Sequence, residues 1–133
     1  MKEGLMAEQN ETKGKILIVD DETDILITLS KYLTDEGFEV KTLNNSRDTL
    51  NLVKEKSWVP DLILLDIALP EMNGIELLKH IKKELPEVNV IMITAYRDAE
   101  KVVEAFRLGA YDCIFKPFDL KYLRKAIKAK LLE

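Results

Sequence analysis

Leu62-Ile63-Leu64-Leu65-Asp66 is the stretch on which the fold turns. Four large apolar residues in a row leave no polar face, so a strand made from them must be covered on both sides. Pro60-Asp61 punctuates the chain before it, and Pro70 to Gly74 carries turn chemistry after it. Ile75, Leu78, Ile81 and Leu85 then follow at helical spacing, closed by Pro86. A buried strand followed by an amphipathic helix is half of a crossover unit.

The alternation extends in both directions. Upstream, Ile16-Leu17-Ile18-Val19 reads as a strand, and Ile25, Leu26, Leu29, Tyr32 and Leu33 as a helix stopped by Gly37. Phe38 to Leu43 is a second strand, and Ser46 caps a helix through Leu50 and Val53. Downstream, Val88 to Ile93 is the fourth strand. Asp98 caps a helix with Val102, Ala105 and Phe106 inward and Gly109 at its end. Tyr111 to Phe115 is the fifth strand, and Asp119 caps a last helix with Leu120, Leu123, Ile127 and Leu131 on one face. Five apolar strands alternating with five amphipathic helices predict an α/β fold, a doubly wound parallel sheet.

Composition agrees with a single folded domain. The chain has 133 residues, 47% hydrophobic and 33% charged, enough to bury a core without disulfides or metal staples. Cys113 is the sole cysteine, which excludes an intrachain disulfide and fits a reducing compartment. The formal charge of −4 is unsuited to nucleic-acid binding through bulk electrostatics. No apolar run reaches the length of a membrane span, and the polar first dozen residues lack the apolar core of a signal peptide. The reading is a cytoplasmic protein with a flexible extension over 1–14 and one domain over 15–133.

In open parallel sheets, ligands bind beyond the carboxyl ends of the strands. Strand one is followed by Asp20-Asp21 and strand three by Asp66; strand four ends in Thr94, and strand five runs into Lys116-Pro117. In a 2-1-3-4-5 strand order, three carboxylates, a hydroxyl and an ammonium would converge on one crevice. Crowded carboxylates call for raised pKa values or a bound hard cation, and Mg²⁺ suits a shallow all-oxygen site. A lysine and a threonine beside it are suited to phosphoryl oxygens. Singly, each residue has a plainer reading: Asp20 and Asp21 as helix caps, Asp66 as a turn residue, Lys116 as a solvated surface lysine. Their joint placement at four strand ends favours the functional reading.

These residues lie in four motifs: Ile16 to Asp21, Leu64 to Pro70 with Met72-Asn73-Gly74, Met92 to Tyr96, and Phe115 to Asp119. In that order and spacing the chain resembles the receiver domain of two-component response regulators. The resemblance implies the flavodoxin-like strand order 2-1-3-4-5 and a role for each matching residue. Asp66 would accept the phosphoryl group from a phosphohistidine of a sensor histidine kinase or a histidine phosphotransfer protein. Asp20, Asp21, Asp66 and the Ala68 carbonyl would hold Mg²⁺. Thr94 and Lys116 would bind phosphoryl oxygens, and the Lys116–Pro117 bond would be cis. The switched surface would comprise the fourth helix, fifth strand and fifth helix. It would act on an output domain or downstream protein, or pair two copies on phosphorylation. The resemblance implies neither a membrane nor direct nucleic-acid contact.

Cys113 stands where the family usually has an aromatic switch residue, so the coupling of Thr94 to that surface is expected to be weaker or differently routed. Ala68 and Tyr96 are expected beside the path of the hydrolytic water, with Tyr96 partly shielding the aspartyl phosphate. His80 reads as a surface residue, Trp58 as a packing residue remote from Asp66, and Lys121, Arg124, Lys125, Lys128 and Lys130 as a basic face on the last helix. A magnesium-dependent phosphatase is disfavoured, because Ala68 stands where an acid–base residue is wanted and no GxxxxGK[ST] loop exists. A flavin site is disfavoured by the carboxylates. A phosphorylation-independent interaction module is the remaining alternative.

Overall fold

A computed structural model describes residues 12–95 and 99–132. Tyr96 and Asp98, to which the sequence assigns a shielding and a capping role, lie outside the described residues.

Five strands form one parallel sheet: β1 Lys15–Val19, β2 Glu39–Leu43, β3 Leu62–Asp66, β4 Asn89–Thr94 and β5 Asp112–Phe115. Their order is β2-β1-β3-β4-β5, as the resemblance implies. The helices are α1 Thr23–Asp35, α2 Ser46–Glu55, α3 Gly74–Glu84, α4 Ala99–Arg107 and α5 Leu120–Leu131. Strand side chains alternate between two cores. Leu17, Val19, Ile63, Leu65, Val90 and Met92 face α2, α3 and α4, whereas Ile16, Ile18, Leu62, Leu64, Ile91 and Ile93 face α1 and α5. All five residues of β3 are buried, which its uninterrupted apolar run requires.

Local chemistry sets most boundaries. Gly37 ends α1 at φ 102°, a conformation that costs glycine little. Asn73 and Asp119 cap α3 and α5 by accepting from Glu76 N and Lys121 N. Two expectations need correction. The cap of α2 is Asn45, which accepts from Asp48 N; Ser46 is one residue inside, 2% exposed, and donates its hydroxyl to the Met72 carbonyl. Phe106 does not point inward but is 45% exposed, as is Val103 at 46%. The buried line of this short helix is centred on Ala105, and one residue further turns a side chain by about 100°.

At the sheet's amino end, Trp58 is 9% exposed and donates from its indole nitrogen to Glu39 at 2.6 Å, with Lys41 lying over its ring. The basic face of α5 is partly paired: Arg124 and Lys128 lie 3.7 and 3.3 Å from Glu36 at the end of α1. His80 is part-exposed on α3. Among the described residues, no helix is long and apolar enough to cross a membrane.

Candidate functional site

β1 and β3 are neighbours, but the chain leaves them in different directions, towards α1 and α3. Their carboxyl ends therefore bound a crevice, and Asp20 and Asp66 fall at its edge. Asp20 is fully buried. Its Oδ1 accepts from Glu22 N at 2.8 Å, which fixes the turn into α1. The plainer reading of Asp20 as a helix-start residue is thus half of its role. The other oxygen, Oδ2, is buried and accepts no well-aligned hydrogen bond, although the Lys116 ammonium lies 2.7 Å away.

Asp66 is 2% exposed. Its Oδ1 accepts from Ala68 N at 3.0 Å, and its Oδ2 from Lys116 Nζ at 3.1 Å. The loop beyond it is held close: Gly74 N donates to the Ile67 carbonyl at 2.8 Å, and Ser46 of α2 reaches the same loop at Met72. Thr94, fully buried at the end of β4, accepts from Lys116 N through its carbonyl at 2.8 Å. The Lys116–Pro117 bond is cis. Asp20, Asp66, Thr94 and Lys116 are therefore gathered at one end of the sheet, with Asp21 exposed at its rim.

Sequence reasoning missed Glu22. One carboxylate oxygen each from Asp20, Asp21, Glu22 and Asp66 lie within 4.8 Å of one another. Glu22 also accepts from Lys116 Nζ at 2.8 Å. The available signal was its position directly after the acidic pair, within reach of the same crevice.

Crowding and burial show in the acid–base properties. Burial pushes the Asp66 carboxyl up to about 6, and the Asp20 charge adds to this; the Ala68 amide and Lys116 pull the other way. Burial lowers the Lys116 ammonium, but contacts with Asp20 and Glu22 and the charge of Asp66 outweigh it and leave the pKa raised. Burial and then the Asp112 charge raise the Cys113 thiol. Cys113 is half-buried against the α2–α4 core and reads as a small apolar filler.

The arrangement fits a hard divalent cation. The donors are all oxygen, and one buried carboxylate oxygen has only an ammonium beside it. A cation at this point would offset the cost of burying the Asp66 carboxylate and its repulsion with Asp20. The Asp66 carboxylate has an ammonium already at its side, an arrangement chemically suited to a nucleophile that takes up an anionic group.

Comparison with known proteins agrees. Residues 16–128 match the family model described as response regulator receiver domain. The chain is 42% identical over 118 residues to Regulatory protein AtoC of Escherichia coli, covering 89% of this chain and 25% of that one. It is 39% identical over 117 residues to Sporulation initiation phosphotransferase F of Bacillus subtilis, covering 88% and 93%. This chain thus spans about a quarter of AtoC and nearly all of the sporulation protein. A CheY-like receiver domain protein from Methanospirillum hungatei superposes with a TM-score of 0.84 at 38% identity, covering 88% of this chain and 92% of that one. The BeF3-activated DrrB receiver domain superposes at 0.81 with 35% identity, covering 90% and 98%. Strand order, strand-end residues and family match coincide, and the chain belongs to the response regulator receiver domain family.

Proposed function

We propose that the unit spanning residues 15–133 accepts a phosphoryl group on Asp66 from a phosphohistidine of a sensor histidine kinase or histidine phosphotransfer protein. The observation that carries this reading is the Asp66 carboxylate itself. It is buried at the strand end, with Ala68 N on one oxygen and Lys116 Nζ on the other. A carboxylate oxygen forms the new bond to phosphorus while the phosphorus–imidazole nitrogen bond breaks, and the imidazole keeps the electron pair. Hydrolysis by water later returns the free carboxylate and inorganic phosphate.

Mg²⁺ held by Asp20, Asp21, Asp66 and the Ala68 carbonyl would neutralise charge on the transferring group. Lys116 supplies a second positive charge for a phosphoryl oxygen. Thr94 closes on the product. The new charge shifts the population of conformers at α4, β5 and α5, where Val103, Phe106 and Tyr122 are exposed. An output domain or a downstream protein reads that surface.

Intact mass after incubation with acetyl phosphate tests this. Wild type with Mg²⁺ is expected to gain one phosphoryl adduct, absent without the metal and absent in Asp66→Asn. No adduct, under conditions where a known receiver retains its own, would leave the phosphorylation-independent module as the better reading.

Cys113 affects the readout rather than the chemistry. It lies beside Met92 of β4 and packs against the core that includes Ala105 of α4, without the bulk of an aromatic ring. Cys113→Tyr is expected to widen the difference in partner affinity between the two phosphorylation states. Unchanged affinity in both states would count against a special route through Cys113.

A further inference from the structure

Lys116 is the only cation recorded against the four-carboxylate cluster among the described residues, and three carboxylates share its ammonium. Two of them, Asp20 and Asp66, are buried at strand ends and cannot withdraw. The third, Glu22, is different. Its side chain is 58% exposed, while that of Lys116 is only 10% exposed. Glu22 occupies the N-cap position of α1, yet its side chain makes no capping hydrogen bond. The side chains that ordinarily make one are the short Ser, Thr, Asp and Asn. The longer Glu22 side chain instead reaches Lys116 at 2.8 Å.

We infer that Glu22 is a positioning residue that latches Lys116 in the resting site and releases it when a phosphoryl group arrives. This rests on the reading of Asp66 as phosphoryl acceptor. An ammonium has three protons to donate, and in the resting site it is already shared among three carboxylates. To reach a phosphoryl oxygen the ammonium must turn from a group that now holds it. Its two hydrogen bonds among the described residues go to Asp66, the residue that would carry the phosphoryl group, and to Glu22. Glu22 is the one whose lost partner water can replace, because it alone of the three is exposed. The latch therefore opposes capture of the phosphoryl group and sets the readiness of the site, without touching the phosphoryl group itself.

Contact can be separated from bulk charge. Glu22→Gln keeps the size of the side chain and removes its charge, whereas Glu22→Asp keeps the charge and shortens the reach. Binding of beryllofluoride, a phosphoryl mimic, at saturating Mg²⁺ is expected to tighten by about fivefold in Glu22→Gln, the upper end for a partly exposed pair. Glu22→Asp should match Glu22→Gln. In a Lys116→Met background both substitutions should lose their effect. A second readout needs neither metal nor mimic: acylation of Lys116 in the metal-free protein, followed by peptide mass, should run faster in both Glu22 variants.

Glu22→Asp behaving as wild type would replace the latch with a bulk electrostatic effect. Equal beryllofluoride binding in all Glu22 variants would overturn the latch while leaving Asp66 as acceptor. Failure of the wild type to bind beryllofluoride with Mg²⁺ would overturn the acceptor reading, and the latch with it.

Discussion

Gly74→Ala is expected to cost about 3 kcal/mol or more of folding stability, at the upper end for overpacking, and to slow phosphoryl uptake at Asp66 at least tenfold. A methyl group at position 74 would lie 2.1 Å from the Asp66 carbonyl oxygen and 2.7 Å from Ile67 Cα. Both are backbone atoms, so no side-chain rotation relieves the clash. The first turn of α3 must move off the end of β3, and the bond from Gly74 N to the Ile67 carbonyl must lengthen or break. Because Asp66 and Ala68 flank Ile67, the strain falls on the residues that aim the nucleophile. Urea melts and amide chemical shifts at Asp66, Ile67 and Ala68 would measure the two parts separately. Wild-type stability with unmoved shifts would mean that the loop can absorb a methyl group.

Asp66→Asn is expected to stabilise the metal-free protein at neutral pH while abolishing phosphorylation. In the folded state burial raises the Asp66 carboxyl from 3.8 to about 6. Between those values the native state binds more protons than the unfolded state. Stability contributed by this residue is therefore present at low pH and lost as pH rises from about 4 to about 6. Above that window the wild type carries the full cost of a buried carboxylate beside Asp20, at most about 3 kcal/mol by linkage. Asparagine carries none of it. The variant should unfold at a higher temperature than wild type at pH 7.5, and the gap should close towards pH 4. Saturating Mg²⁺ should narrow it from the other side by stabilising the wild type. Identical melting temperatures across the range would refute a costly carboxylate at Asp66.

The fold was legible because β3 and β1 have no polar face, which leaves only a doubly covered sheet as their environment. The site was legible for the same reason. A charged residue at the end of such a strand has to lie at the sheet's rim, so Asp20, Asp66 and Lys116 stood out against apolar neighbours. Glu22 did not, because a glutamate opening a helix is ordinarily a solvated residue that complements the helix dipole. Only the folded chain shows its carboxylate drawn across to a lysine 94 positions away. Asn45 and Ser46 are both good caps, and local sequence cannot choose between adjacent candidates. For Phe106, a helix of nine residues offers too few turns to define its buried line.

Trp58 makes this domain easy to monitor in one way and hard in another. It is the single tryptophan of the chain, pinned to Glu39 at the amino end of β2. The carboxylate cluster lies at the opposite end of the sheet, about 15 Å along a five-residue strand. Intrinsic fluorescence should therefore follow loss of the whole fold faithfully, since the indole leaves a buried, hydrogen-bonded seat. It should be nearly silent when a cation or a phosphoryl group enters the crevice. Titrations of the site call for an installed reporter on α4 or for fluorine resonances from beryllofluoride, and a flat tryptophan trace during such a titration carries no information about occupancy.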